Sequence, residues 1–321
     1  MVVVSRNLSA WVKGRRMLNF RWMRVGTSLC GCLLLGVLIA VQWAAFSEEG
    51  SVVKLKSFFQ RPLPCGAHRG GVAMWPENTA YAYKSAAAQW PDVLLEGDVQ
   101  LTSDKRVVVL HDDTVDRTTN GTGRIGDLTL EQVKALDAGY RFTPDGGNTF
   151  PYRGKGITIP LFAEALSAVP AGRFLMEMKN QPGIAEATVS VLREANALDR
   201  VVLASLNPEL MRQARQLEPR VLACYDALNG MDMLARLRGG EWPAYQPVAD
   251  MLAVGTDTVA SVDLKAEEIR AVRDKGICVV VFTVNNPDLM RRYIDMGFSS
   301  ILTDKPQLLQ EILAQQKAAT R

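Results

Sequence analysis

The chain of 321 residues contains two histidines, His68 and His111, and each stands where an apolar run gives way to charged residues. His68 follows the run from Pro62 to Ala67 and is joined to Arg69, Gly70 and Gly71, while His111 follows Val107-Val108-Val109-Leu110 and precedes Asp112 and Asp113. An imidazole titrating near neutrality can take a proton from an attacking group or give one to a leaving group. Other apolar runs end in chemistry of a second kind: Glu96 and Asp98, Glu177 and Lys179, Thr283 and Asn285, and Asp304. Glu96 and Asp98 are two residues apart, so on a strand both face the same way, and Glu177 and Lys179 are related likewise. Carboxylates pointing inward are costly unless they are paired or bound to a cation. Three of them on neighbouring strands, without cysteine or a third histidine, suit a hard ion such as Ca²⁺ or Mg²⁺ better than zinc. Two further arrangements use the same residues: Arg69 and Lys179 neutralise the acids as ion pairs, or they hold a phosphate between themselves and the metal.

These residues need elements to position them. Strand-like runs lie at Leu63–Ala67, Val93–Asp98, Arg173–Met178, Arg200–Ser205, Arg220–Tyr225, Asp250–Val254, Ile277–Val284 and Ser300–Thr303. Helix-length stretches such as 80–89, 184–197, 208–217, 265–275 and 287–296 separate most of them, which is the pattern of a parallel sheet wrapped in helices. Eight strands with helical crossovers predict an α/β fold, a (β/α)8 TIM barrel, with an open doubly wound sheet as the alternative. The run 107–110 is a ninth. Too little chain separates it from Asp98 for a crossover helix, so it is expected to return as an antiparallel hairpin and set His111 at the same rim as His68. The Gly-, Thr- and Asp-rich stretch from 113 to about 159, with one short helical run at 129–136, reads as a small insertion over the barrel mouth.

A hydrophobic content of 48% with 22% charged residues describes a packed body of about 260 residues, 62–321. Residues 1–24 hold six basic residues and no acid, so the net charge of +3 leaves −3 for the remainder. That balance argues against a nucleic-acid partner. Residues 25–46 form an uncharged, mostly apolar segment long enough to cross a bilayer. With basic residues before it and Glu48-Glu49 after, the reading is an uncleaved transmembrane anchor that places the body on the non-cytoplasmic side, periplasmic or lumenal. It is preferred to a cleaved signal peptide, a twin-arginine signal at Arg15-Arg16 or a lipoprotein site around Cys30 and Cys32. Residues 47–61 read as a tether. The five cysteines follow no disulfide or metal pattern, and Cys65, Cys224 and Cys278 are expected to be buried free thiols.

From about Pro64 to Ala318 the chain resembles the glycerophosphodiester phosphodiesterase family. The resemblance is carried by an ordered set: His68-Arg69-Gly70, Pro76-Glu77-Asn78-Thr79, Glu96-Gly97-Asp98 through Thr102, His111-Asp112-Asp113-Thr114, Asp116-Arg117-Thr118-Thr119, Gly121-Thr122-Gly123, Glu177-Met178-Lys179, Thr283-Val284-Asn285 and Thr303-Asp304-Lys305-Pro306. It implies a barrel hydrolase that splits glycerophosphodiesters into glycerol 3-phosphate and an alcohol, the glycerol hydroxyl beside the phosphate attacking first to give a cyclic phosphate that water later opens. His68 and His111 would be the general acid and base. Arg69 would grip the phosphate with Lys179 near it, and Glu96, Asp98 and Glu177 would hold a divalent metal, Ca²⁺ or Mg²⁺. Glu77, Asn78, Phe282 and Asn285 would support them. The chain departs from the family pattern at Gly97, where a bulky aliphatic residue is usual, and at Phe282, where tryptophan is common; the latter bears on the wall that receives the leaving alcohol. A lysophospholipase D using the same site is the competing enzyme reading, and a non-catalytic phosphate-binding protein is the competing class.

Overall fold

Residues 56–319 are described by the computed structural model. Eight parallel strands form the sheet: β1 (Cys65–Ala67), β2 (Leu94–Leu101), β4 (Arg173–Met178), β5 (Val201–Ala204), β6 (Leu222–Ala223), β7 (Met251–Gly255), β8 (Cys278–Phe282) and β9 (Ser300–Thr303). Their order is β6-β5-β4-β2-β1-β9-β8-β7. A parallel bridge between Cys224 and Met251 joins the two ends, reinforced by hydrogen bonds from Tyr225 N–H to Met251 O at 2.7 Å and from Asp250 N–H to Ala223 O at 2.8 Å. The sheet is thus a barrel rather than an open doubly wound sheet. The ninth run is β3 (Val107–Val109), paired antiparallel to β2 with Val99 opposite Val109. It is the hairpin that the short connection requires.

Period-two alternation decides what faces inward. Leu94, Leu175, Val202, Val280 and Leu302 fill the barrel, whereas Leu95, Phe174, Met176, Leu203 and Ile301 face the helices. Continuing the same alternation up β2 and β4 places Glu96, Asp98 and Glu177 inside, above this apolar layer. Outside it pack α1 (Ala80–Gln89), α2 (Leu130–Lys134, in the insertion), α3 (Phe162–Ala168), α4 (Ile184–Glu194), α5 (Pro208–Leu217), α6 (Ala227–Arg238), α7 (Thr256–Ser261), α8 (Ala266–Asp274), α9 (Pro287–Met296) and α10 (Pro306–Ala319). Asn-Pro pairs start α5 and α9: the Asn207 and Asn286 side chains accept from first-turn N–H groups, and proline takes the position that needs no donor. The insertion has its own small core, in which Val115, Ile125, Val133 and Ile159 close over Val108 and Leu110.

The N-terminal end of the barrel is plugged. Ser57–Phe59 forms one 3-10 turn, within the stretch expected to be a tether, and its Phe58 joins the apolar filling of the barrel. Arg173, 5% exposed at the start of β4, donates to the carbonyls of Phe58 (2.9 Å), Arg61 (2.8 Å) and Pro62 (3.0 Å). The three described cysteines are free and buried, as expected, with thiols pushed up to about 12 by burial. One expectation is corrected. The fold class stands as a barrel with an insertion but without the transmembrane helix: among the described residues no helix is long and apolar enough to cross a membrane. Residues 25–46, which carried that reading, lie outside the described residues, as do Cys30 and Cys32. The membrane-anchored, non-cytoplasmic location inferred from them is withdrawn with it.

Candidate active site

At the C-terminal end of β1 the backbone turns through left-handed conformations at Arg69 (φ 50°), Gly70 (φ 86°), Gly71 (φ 102°) and Asn78 (φ 56°). The two glycines meet this demand without strain. The turn presents Arg69 N–H to Glu96 Oε2 at 2.8 Å and lets Asn78 N–H return to Arg69 O at 2.8 Å. It leaves His68 with Nδ1 2.6 Å from Asp304 Oδ1 and Nε2 3.9 Å from Glu96 Oε2. Asp304 is itself fixed by Asn285, whose Nδ2 donates to Oδ2 at 2.6 Å and whose Oδ1 accepts from Asp304 N–H at 3.0 Å. Burial opposes charge on the His68 ring, but Glu96 and the Asp304 hydrogen bond outweigh it and hold its pKa above the ordinary value.

Glu96, Asp98 and Glu177 meet at the mouth, Asp98 standing opposite Glu177 in the β2–β4 register. Burial pushes the Glu96 carboxyl up to about 7. Asp98, 1% exposed, is also penalised by burial, yet the nearby Lys179 and His111 hold it below the usual range. Lys179 Nζ lies 2.8 Å from Asp98 Oδ1 and 3.2 Å from Glu177 Oε1. Asn78 Nδ2 donates to Asp98 Oδ2 at 3.0 Å. Arg69 pairs through Nη1 with Glu77 Oε1 at 2.9 Å, while its Nε, buried and without a hydrogen-bond partner, stops 3.8 Å from Asp98 Oδ2. The ion pairing of the acids by Arg69 and Lys179 is therefore present. The donors are all oxygen, as a hard divalent ion requires. As they lie, however, no group of three or more His, Cys, Asp or Glu side chains among the described residues is arranged to hold a metal ion.

The β2–β3 hairpin delivers His111. Gln100 Nε2 donates to the carbonyls of Leu110 (3.0 Å), His111 (3.2 Å) and Asp112 (2.6 Å), pinning the chain on both sides of the histidine. His111 Nδ1 is 2.7 Å from Asp112 Oδ1. Arg117 then bridges two acids, reaching Asp112 Oδ2 through Nε at 2.6 Å and Glu77 through Nη1 and Nη2 at 2.7 and 2.8 Å. Its hydrogen bonds, with the Arg69 charge, hold Glu77 below the usual carboxylate range against burial, and Asp112 is depressed to about 2. A continuous chain of ion pairs thus runs from Arg69 through Glu77 and Arg117 to Asp112, whose carboxylate is in hydrogen-bond contact with His111.

Ten of the eleven residues singled out from the sequence meet in this network; Phe282, at the end of β8, packs against the apolar filling of the barrel instead. Three partners carry no role in the sequence reading: Asp304 and Asp112, each behind a histidine, and Arg117 between the loops. Asp112 and Asp304 sat among the strand-end charges and Arg117 in a family stretch, so the signal was present without the pairing.

A closed parallel barrel whose strand ends gather two carboxylate-backed imidazoles, an acid cluster and basic side chains has the parts of an enzyme active site built for proton transfer. Residues 68–308 match the glycerophosphoryl diester phosphodiesterase family. The chain is 32% identical over 254 residues to a glycerophosphodiester phosphodiesterase of Caldanaerobacter subterraneus, covering 76% of this chain and 94% of that protein. It is 30% identical over 260 residues to one of Bacillus subtilis, covering 77% and 85%. In fold it resembles the phosphodiesterase domain of a Mycobacterium tuberculosis protein (TM-score 0.65, 22% identity, 80% of this chain and 100% of that one). It likewise resembles an Oleispira antarctica phosphodiesterase in complex with the product sn-glycerol-3-phosphate (TM-score 0.61, 24% identity, 79% and 97%). The chain belongs to the glycerophosphoryl diester phosphodiesterase family and is an enzyme of that class.

Proposed function

We propose that the enzyme hydrolyses glycerophosphodiesters to glycerol 3-phosphate and an alcohol, with His68 and His111 exchanging protons and with a divalent cation, Ca²⁺ or Mg²⁺, held by Glu96, Asp98 and Glu177. The observation that carries this reading is the pair of imidazoles, each with Nδ1 occupied by a carboxylate, Asp304 or Asp112. That contact fixes the ring and leaves Nε2 for substrate. One ring accepts the proton of the attacking oxygen, and the other donates to the departing alkoxide. Arg69 binds the phosphate through its guanidinium, and Lys179 swings from the acids to the phosphate. Asn285 and Glu77 hold Asp304 and Arg69 in place.

Charge balance supports the cation. Six acidic side chains (Glu77, Glu96, Asp98, Asp112, Glu177, Asp304), of which Glu96 is pushed up to about 7, face three fixed cations (Arg69, Arg117, Lys179). They also face His68, which is held toward its charged form, and negative charge remains in excess. A mouth with that excess repels a phosphodiester anion until positive charge is added. When bound, a divalent ion there would neutralise the phosphate oxygens. The named relatives favour the glycerol diester over a lysolipid, so the lysophospholipase D reading is not pursued. A substrate panel tests both choices: glycerophosphocholine and glycerophosphoethanolamine should release glycerol 3-phosphate, lysophosphatidylcholine should be turned over poorly, and chelation should stop the reaction until Ca²⁺ or Mg²⁺ is returned. Undiminished turnover after exhaustive chelation removes the cation, and no glycerol 3-phosphate from any diester removes the activity.

A further inference from the structure

We infer that Tyr83 is a positioning residue for Asp98, acting through Asn78, and that glycine at position 97 admits its hydroxyl. The inference rests on the reading that Asp98 helps to hold a cation. Tyr83 lies on α1 with 0% exposure, its ring edge-on to Phe174 at 5.6 Å. Its hydroxyl donates to Asn78 Oδ1 at 2.8 Å, and the other end of that amide donates to Asp98 Oδ2 at 3.0 Å. Hydroxyl, amide and carboxylate all lie within the buried part of the molecule.

The arrangement resolves an ambiguity inherent in an amide, whose two ends are alike in shape and opposite in hydrogen-bonding sense. Asp98 needs the NH₂ end. Reversed, Asn78 would set its oxygen against the carboxylate. A hydroxyl donor on the far side fixes which end faces which, and burial among acids keeps Tyr83 protonated and able to donate. With Oδ2 of Asp98 held in this way, Oδ1 is the atom left to meet Lys179 or a cation.

Position 97 shows what the relay requires. A Cβ there would stand 2.0 Å from the Tyr83 hydroxyl oxygen and 2.7 Å from Asn78 Oδ1. Real Cβ atoms do not approach so closely, so any side chain would displace the relay. Gly97 has no positive φ to explain it, and the close approach is the reason for glycine at this point of a strand. The absent side chain between Glu96 and Asp98 is therefore occupied by a functional group from α1.

Tyr83→Phe keeps the ring packing and removes only the donor. Calorimetric titration of the full chain with Mg²⁺ or Ca²⁺, without substrate, reads the effect directly. Outer groups that orient metal ligands are worth about 10- to 100-fold in affinity, so binding by Tyr83→Phe should be about 10-fold weaker than wild type. Activity should require correspondingly more cation, with kcat largely retained at saturation. Gly97→Ala, which forces the hydroxyl aside, should weaken binding in the same direction. Wild-type affinity in Tyr83→Phe, even with a lower melting temperature, would reduce Tyr83 to a packing residue and overturn the inference. Absence of cation binding by the wild-type chain would instead overturn the cation reading beneath it.

Discussion

The two ends of the barrel solve opposite problems with similar materials. At the N-terminal end, Phe58 fills the opening and the buried Arg173 guanidinium is spread over four backbone carbonyls and the Asp92 carboxylate. At the C-terminal end, six acidic side chains share three fixed cations, Arg69 keeps a buried donor without a partner, and Lys179 bridges two acids. At one end the buried arginine is partnered, although Ser300 Oγ at the start of β9 is not; at the other the arginine itself keeps an unmet donor. Buried charged groups that find partners hold a structure together, whereas a charged donor kept without one is held at a cost, as binding sites require. The difference separates stability from catalysis along a single axis, so changes at one end should leave the other end's property untouched.

The largest expected effects fall on the two histidines. His68→Ala and His111→Ala should each lower kcat by about 10² or more, the usual scale for acid–base groups, with little change in melting temperature. Full activity in either would reject the assignment. The converse case is Phe58→Ala, which should cost about 3–5 kcal/mol in chemical denaturation, the range for a buried aromatic removed from a core, while kcat per folded molecule stays at the wild-type value. A drop in kcat there would mean that the ends are coupled. Arg173→Met is smaller, at about 1–3 kcal/mol, because it strands buried carbonyls without opening a large cavity.

Smallest and most specific is a pH effect confined to the mouth. Burial raises the folded-state pKa of Glu96 to about 7 from 4.5, so in that interval the folded cation-free protein holds a proton that the unfolded chain has lost. Its stabilisation is fully present below pH 4.5 and disappears as pH rises through 7. Asp112, depressed from 3.8 to about 2, has the opposite sign: its contribution is present above pH 3.8 and is lost as pH falls through 2. Denaturation curves at several pH values without divalent ions should show stability falling toward neutrality, and Glu96→Gln should flatten that limb. An unchanged limb in Glu96→Gln would place the proton elsewhere.

Much of this was legible in the chain because barrel strands are short apolar runs whose last residues alternate with known phase. That phase put Glu96 with Asp98 and Glu177 with Lys179, and the short link from Asp98 to Val107 forced the hairpin that delivers His111. Pairings across long sequence separations were not legible: Asp304 reaches His68 from 236 residues away, and nothing local marks it as the partner. The plug at Phe58 was read as tether because its burial depends on Arg173, far along the chain. Helix α6 was not read because Asn229 and Gly230 in its first turns are poor helix formers. Tyr83 has nothing in its local sequence to single it out. Its role appears only once Gly97 is seen beside its hydroxyl.

Thermal melting of the full chain at pH 7, with and without Ca²⁺ or Mg²⁺ together with sn-glycerol 3-phosphate, tests the central claim most directly. Ligands bound at the C-terminal mouth should raise the melting temperature of the wild type, and of Phe58→Ala to a similar extent, and should fail to raise that of Glu96→Gln. An equal rise in Glu96→Gln would contradict the account, because the acids at the strand ends would then not be what the cation and phosphate require.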